Sequence, residues 1–144
     1  MWALGGTEEE PGQIILRFSG ASVTDGAGID LRTWDSFGLW EGLGVEASAD
    51  GASWVSLGTV SGDFSGCSWP SPCASGFDLA GSGLASASWF RLTVKNGVVF
   101  GYPQAYDLDA LEAVNFAAVP EPGTLALLGL GLAGLGLSRR RRAA

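Results

Sequence analysis

Histidine is absent from all 144 residues, which removes the side chain most used as a general base near neutral pH and as a ligand of catalytic zinc or iron. Much hydrolytic and redox chemistry is thereby set aside. Basic residues are scarce as well, eight Lys and Arg against 15 Asp and Glu. Half of the eight are Arg139, Arg140, Arg141 and Arg142, so residues 1–118 carry 14 acids and 4 bases, a formal charge of −10. A body of that charge repels phosphate backbones and argues against a nucleic-acid partner. The opening stretch, MWALGGTEEEPG, has neither a basic region nor an apolar run, so it does not read as a secretory signal. Helical periodicity is hard to find before residue 119.

What the chain has in quantity is glycine, 23 residues, together with six Trp and many Ser, Ala and Thr. Gly supplies positive φ in tight turns, while Trp and β-branched residues fill a pleated face, so this composition suits short strands. QIILRF alternates, with Ile14, Leu16 and Phe18 on one face, and reads as a first strand. IDLRTW follows as a second. In VEASADGASWVSLGTV, Val45 and Ala47 alternate with Glu46 and Ser48, and Asp50-Gly51 supplies a turn, so the spacing predicts a β-hairpin. SWFRLTV sets Phe90, Leu92 and Val94 against Trp89, Arg91 and Thr93, another strand, with Asn96-Gly97 turning into GVVFG. YDLDALEAVNF fits helix or strand, and its shortness among strands favours strand. The expectation is one all-β domain over 1–118, an antiparallel β-sandwich.

Cys67 and Cys73 lie in SGCSWPSPCASG with five residues between them, two of them proline. Either a disulfide closes this small loop in an oxidising compartment, or both remain reduced thiols. Asp25, Asp30, Asp107 and Asp109 are the candidate ligands for a cation. Asp25 and Asp30 flank a glycine-rich loop, Asp107 and Asp109 stand two apart on a strand at about 6.5–7 Å, and hard oxygen ligands suit Ca²⁺. The alternative is that all four are turn and edge residues. Glu41, Glu46 and Glu112 supply carboxylates to a glycosidase only if brought into a pair, and Glu46 reads instead as a solvated strand face, so no enzyme is expected. Trp34, Trp40, Trp54, Trp69 and Trp89 divide between packing and a sugar-stacking surface. Trp69, in the Cys/Pro loop, is the candidate ligand contact.

From Thr124 to Leu137 the chain is uncharged and mostly Leu, Ala and Gly. Fourteen helical residues span roughly 21 Å, short of the approximately 30 Å hydrocarbon core unless flanking residues sit at the interface. Leu125 and Leu137 mark the ends of this candidate anchor. The arginines beyond it hold that end in the cytoplasm and put the body on the periplasmic side. Val119, Pro120, Glu121 and Pro122, then the apolar stretch, then the arginine cluster, resemble the PEP-CTERM sorting signal of Gram-negative bacteria. The resemblance implies transit through the inner membrane, cleavage near Pro-Glu-Pro by an exosortase as partner, and delivery to the cell surface or the extracellular matrix. The body resembles the discoidin or galactose-binding-like, jelly-roll-like sandwiches that precede such tails, through GQIILRF, DGAGIDL, VEASADGASWVSLG, FDLA, SWFRLTV and YDLDALEAV. It departs at its front, where such domains begin with further residues and a signal peptide; on this reading Met1 is a misassigned start or the fold is truncated. Together these readings divide the chain into an exported sandwich, residues 1–118, and a sorting tail with a short apolar helix, residues 119–144. They imply a non-enzymatic surface or matrix protein that binds exopolysaccharide, with a structural Ca²⁺, or else a purely structural component of the biofilm matrix.

Overall fold

Alternation of apolar and polar residues governs the fold in the computed structural model, which describes residues 2–5, 11–35, 42–60, 72–95, 98–99, 102–103, 105–118 and positions 127, 130 and 132. Every sheet pairing among the described residues is antiparallel. The strands are β1 (Trp2–Gly5), β2 (Gln13–Arg17), β3 (Ala21–Thr24), β4 (Leu31–Asp35), β5 (Leu43–Ser48), β6 (Val55–Val60), β7 (Cys73–Phe77), β8 (Ser86–Ala87), β9 (Trp89–Val94), β10 (Val98–Val99), β11 (Tyr102–Pro103), β12 (Ala105–Ala113) and β13 (Phe116–Ala118). They form two four-stranded sheets, β1-β12-β4-β7 and β2-β9-β5-β6, a three-stranded sheet β13-β3-β8, and the small pair β10-β11.

The two larger sheets share one core. Leu31, Phe77, Tyr106 and Leu108 contribute from one, Leu43, Val45, Ala47, Phe90, Leu92 and Val94 from the other, and Val23 and Ala87 enter from the third sheet. β9 shows the cause most clearly: its burial alternates without a break, Phe90, Leu92 and Val94 inward and Trp89, Arg91 and Thr93 outward. Phe18 closes on Phe90 edge to face, with ring centroids 5.7 Å apart. Thr33, fully buried among these apolar groups, shares a hydrogen bond with the Tyr106 hydroxyl.

The structure departs from the sequence pattern in three places. β1 is the first strand, paired with β12, although Trp2-Ala3-Leu4-Gly5 shows no alternation of apolar and polar residues. The 43–60 hairpin forms, but six residues, 49–54, join its strands in place of a two-residue turn. Asp50 organises that loop by accepting hydrogen bonds from the Ala52 and Ser53 amides and from the Ser48 hydroxyl, and these donors hold its carboxyl well below the usual range. Finally, β10 pairs with β11 and not back onto β9. Asn96-Gly97 lies outside the described residues.

Candidate functional site

Asp25, Asp30 and Asp78 come together where three connections meet: the β3–β4 loop, the segment after β7, and the turn between β12 and β13. Each offers a carboxylate oxygen, and these atoms lie within 4.8 Å of one another. The loop sequence makes the approach possible. Gly28 takes φ +82°, and a Cβ on Gly26 would stand 2.5 Å from Cγ of Asn115, so only glycine leaves room for that side chain.

Asp30 is fully buried, yet its carboxylate is well supplied with donors. Oδ1 accepts from the Gly26 amide at 2.9 Å and from Asn115 Nδ2 at 2.8 Å, and Oδ2 accepts from the Leu79 amide at 2.8 Å. Burial pushes its pKa up, but the Leu79, Asn115 and Gly26 donors outweigh burial and hold it below the ordinary value. One side chain therefore ties three segments of the fold together. With two donors already on Oδ1 and one on Oδ2, the lone pair left for a cation is on Oδ2. Asp25 and Asp78 are exposed; Asp78 Oδ1 also caps the Ala80 amide at 2.7 Å.

The structure thus unites Asp25 and Asp30 as the sequence pattern proposed, with Asp78 as the third carboxylate. Asp107 and Asp109 stand apart on β12. A register shift between Leu108 and Ala110 inserts a bulge there, so Tyr106 and Leu108 point inward before it, and Leu111 packs against the core after it. Asp109 sits exposed beside an apolar cleft of about 420 Å³ lined by residues of β2 and β12. Asp78 and Asn115 escaped sequence reading because they meet Asp30 across 48 and 85 positions. The one local signal was FDLAG, an Asp just before a turn.

A second constellation covers the outer face of the β2-β9-β5-β6 sheet. The Arg91 guanidinium grips Glu46 with two hydrogen bonds of 2.6 Å and lies 4.7 Å from the Trp54 ring centroid. Those bonds, together with the nearby positive charges of Arg91 and Lys95, hold the Glu46 carboxyl below its usual range despite partial burial. Arg17, opposite Trp89 in the β2–β9 register, stacks 4.9 Å above that ring. A shallow groove of about 270 Å³ runs beside them, lined by Glu46, Ser56, Thr59, Thr93 and Lys95. Gly44 opens it: the Lys95 stem lies where a Cβ on residue 44 would stand. On the opposite sheet Arg32 binds Glu112 at 3.0 Å and lies over Trp34, whose indole also donates to Glu112 at 3.0 Å. Trp34, Trp54 and Trp89 thus each carry an arginine.

Cys73, the first residue of β7, is disulfide-bonded. Cys67, the other cysteine of the sequence, lies outside the described residues, as do Trp40, Trp69 and Glu41. So do the sorting residues Val119, Pro120, Glu121 and Pro122, the anchor ends Leu125 and Leu137, and Arg139 to Arg142. Leu127, Leu130 and Leu132 have helical backbone and are exposed. Among the described residues no helix is long and apolar enough to cross a membrane.

Residues 118–142 match the family described as the PEP-CTERM protein-sorting motif, so the chain ends in a sorting signal. No curated protein matches the chain. Among solved structures, the C-terminal domain of a chitobiase from Bacteroides fragilis is similar, with a TM-score of 0.50 at 18% identity over 76% of this chain. The match spans 66% of that domain, just under two thirds of its length. Such a likeness establishes the fold, a β-sandwich, and leaves function to the residues.

Proposed function

We propose that this chain is a non-catalytic module of the bacterial cell surface or extracellular matrix, exported with its sandwich on the periplasmic side, held briefly by its tail and released by an exosortase. The observation that carries this is the junction: β13 ends at Ala118, where the sorting motif begins. A folded β domain is thereby joined directly to a sorting address. Lack of histidine, and carboxylates committed to structural pairing such as Glu46 with Arg91 and Glu112 with Arg32, support a binding or structural role over catalysis. Expression in an exosortase-bearing Gram-negative host tests it. The expected result is a shortened body in the matrix fraction, with Pro120→Ala/Pro122→Ala leaving a full-length, membrane-associated chain. Equal release of both chains, or retention of both in the cytoplasm, would overturn the proposal.

On this reading the body binds exopolysaccharide, a first ligand class motivated by the sandwich resembling a domain of a chitobiase. Structural Ca²⁺ belongs to the same reading, held by Asp25, Asp78 and the remaining lone pair of Asp30. Millimolar Ca²⁺ is expected to raise the melting temperature, and Asp25→Asn/Asp78→Asn to abolish the rise. A melting temperature indifferent to both Ca²⁺ and EDTA would remove the ion from the account. A purely structural matrix component is the second reading, favoured by the three donors that already satisfy Asp30 without any ion.

A further inference from the structure

β12 runs from Ala105 to Ala113, but β1 accompanies it only as far as the Trp2–Leu108 pair. From Asp109 to Ala113, about 17 Å at strand rise, it is paired on its β4 side alone among the described residues. The ladder shows which groups that leaves. Val114 donates to the Asp30 carbonyl directly across from it, in the register that also pairs Glu112 with Arg32, so hydrogen-bonded pairs alternate back along the strand. Leu111 and Ala113 therefore aim their N–H and C=O groups at the open edge while their side chains pack toward the core. Such a row of backbone groups is a template for a further strand.

The same stretch borders the apolar cleft of about 420 Å³, whose opposite wall is Ile14 and Leu16 of β2 and Phe18 just beyond it, all only half-buried. A strand continuing the line of β1 beside Asp109 to Ala113 would carry every second side chain into that cleft, onto the facing sheet. Open ladder and apolar cleft thus suit one object, an extended segment with apolar residues at alternate positions. Charge selects among such segments. The open stretch bears Asp109 and Glu112 and no base, in a body of 14 acids and 4 bases. Arg17, the one cation among the residues lining the cleft, is held against the Trp89 ring. Opposite charges are favoured across neighbouring strands and like charges are not, so the outward positions of an added strand suit Lys or Arg. We propose that Asp109 to Ala113 is a strand-addition edge that takes an antiparallel segment of another protein, apolar at alternate positions and basic between them. A second copy of this chain is a poorer occupant, because two bodies of formal charge −10 repel one another.

This interaction goes beyond polysaccharide binding and does not depend on it. Fluorescence anisotropy of a labelled seven-residue peptide alternating valine and lysine, titrated with the full chain in phosphatidylcholine nanodiscs, tests it. The alternating peptide is expected to bind at least tenfold more tightly than the same residues in block order, and than its valine–glutamate counterpart. N-methylation of its valines removes the N–H groups that face β12 and keeps the charge, and is expected to cost at least tenfold. Leu111→Gln should weaken binding at least fivefold, whereas Ile15→Ser, exposed on the opposite face of β2, should leave it unchanged. Equal affinity for the block, N-methylated or glutamate peptide would overturn the proposal, and these comparisons need no variant that must fold. Failure of the alternating peptide to bind, or a loss in Ile15→Ser that Leu111→Gln does not show, would also overturn it. A dimer of the chain that Leu111→Gln dissociates and the peptide does not would give the cleft to a second copy and overturn it likewise.

Discussion

Asp30 behaves as a structural residue whatever else the acidic cluster does. Its carboxylate receives three hydrogen bonds while fully buried, and its carbonyl accepts from the Val114 amide at 2.8 Å. Asp30→Asn keeps the shape but replaces an acceptor oxygen with an NH₂ facing backbone amides, and is expected to cost about 2–4 kcal/mol of unfolding free energy in urea titrations. The pH dependence follows from the lowered pKa. A carboxyl depressed in the folded state stabilises fully above its unfolded value, ordinarily 3.8. That contribution fades as pH falls through the folded value. Wild type should therefore lose stability below about pH 4 more steeply than Asp30→Asn, read from urea midpoints between pH 2 and 6. Parallel acid limbs would show that Asp30 is not ionised in the native state.

At the level of elements, the hairpin loop 49–54 rests on contact between glycine and tryptophan. Gly51 has φ +77°, and a Cβ there would meet the Trp89 ring at 3.1 Å; Gly20 has the same φ with nothing within 4 Å. Gly20→Ala should cost about 1–2 kcal/mol from backbone strain alone. Gly51→Ala should cost more and also shift Trp fluorescence, the difference reporting the contact with Trp89. Equal losses with unchanged fluorescence would mean that the ring yields freely. These elements also show how far the sequence could be read. The strict alternation of Trp89 to Val94 and of Val45 to Ala47 made β9 and β5 legible, because one face of each meets the core. β1 was not legible, since its pairing with β12 leaves no periodic trace in Trp2 to Gly5. The β12 bulge reverses the inward parity between Leu108 and Leu111, a break that alternation alone does not show. Half of the acidic cluster was visible as the Asp25 to Asp30 loop; Asp78 and Asn115 join it only through tertiary folding.

For the whole molecule, β13 is the last strand among the described residues. Asn115 donates to Asp30 and accepts from the Thr24 amide, and Phe116 to Ala118 pair with Val23 to Ala21. A chain ending at Ala118 should melt close to the full chain, whereas one ending at Val114 should lose about 2–4 kcal/mol with its buried-carboxylate donor and edge ladder. Equal melting of the two truncations would place the boundary earlier. The pairing of Ala118 with Ala21 also fixes a length. Only residues 119–123 separate that last ladder position from the apolar run, and five residues drawn out fully reach at most about 18 Å. On the proposed route through the membrane, a sandwich tethered on so short a leash rides close against the bilayer. On that same proposed route a protease working at the membrane meets a bulky folded body at its elbow, which makes the turn of the sandwich as important to release as the motif itself.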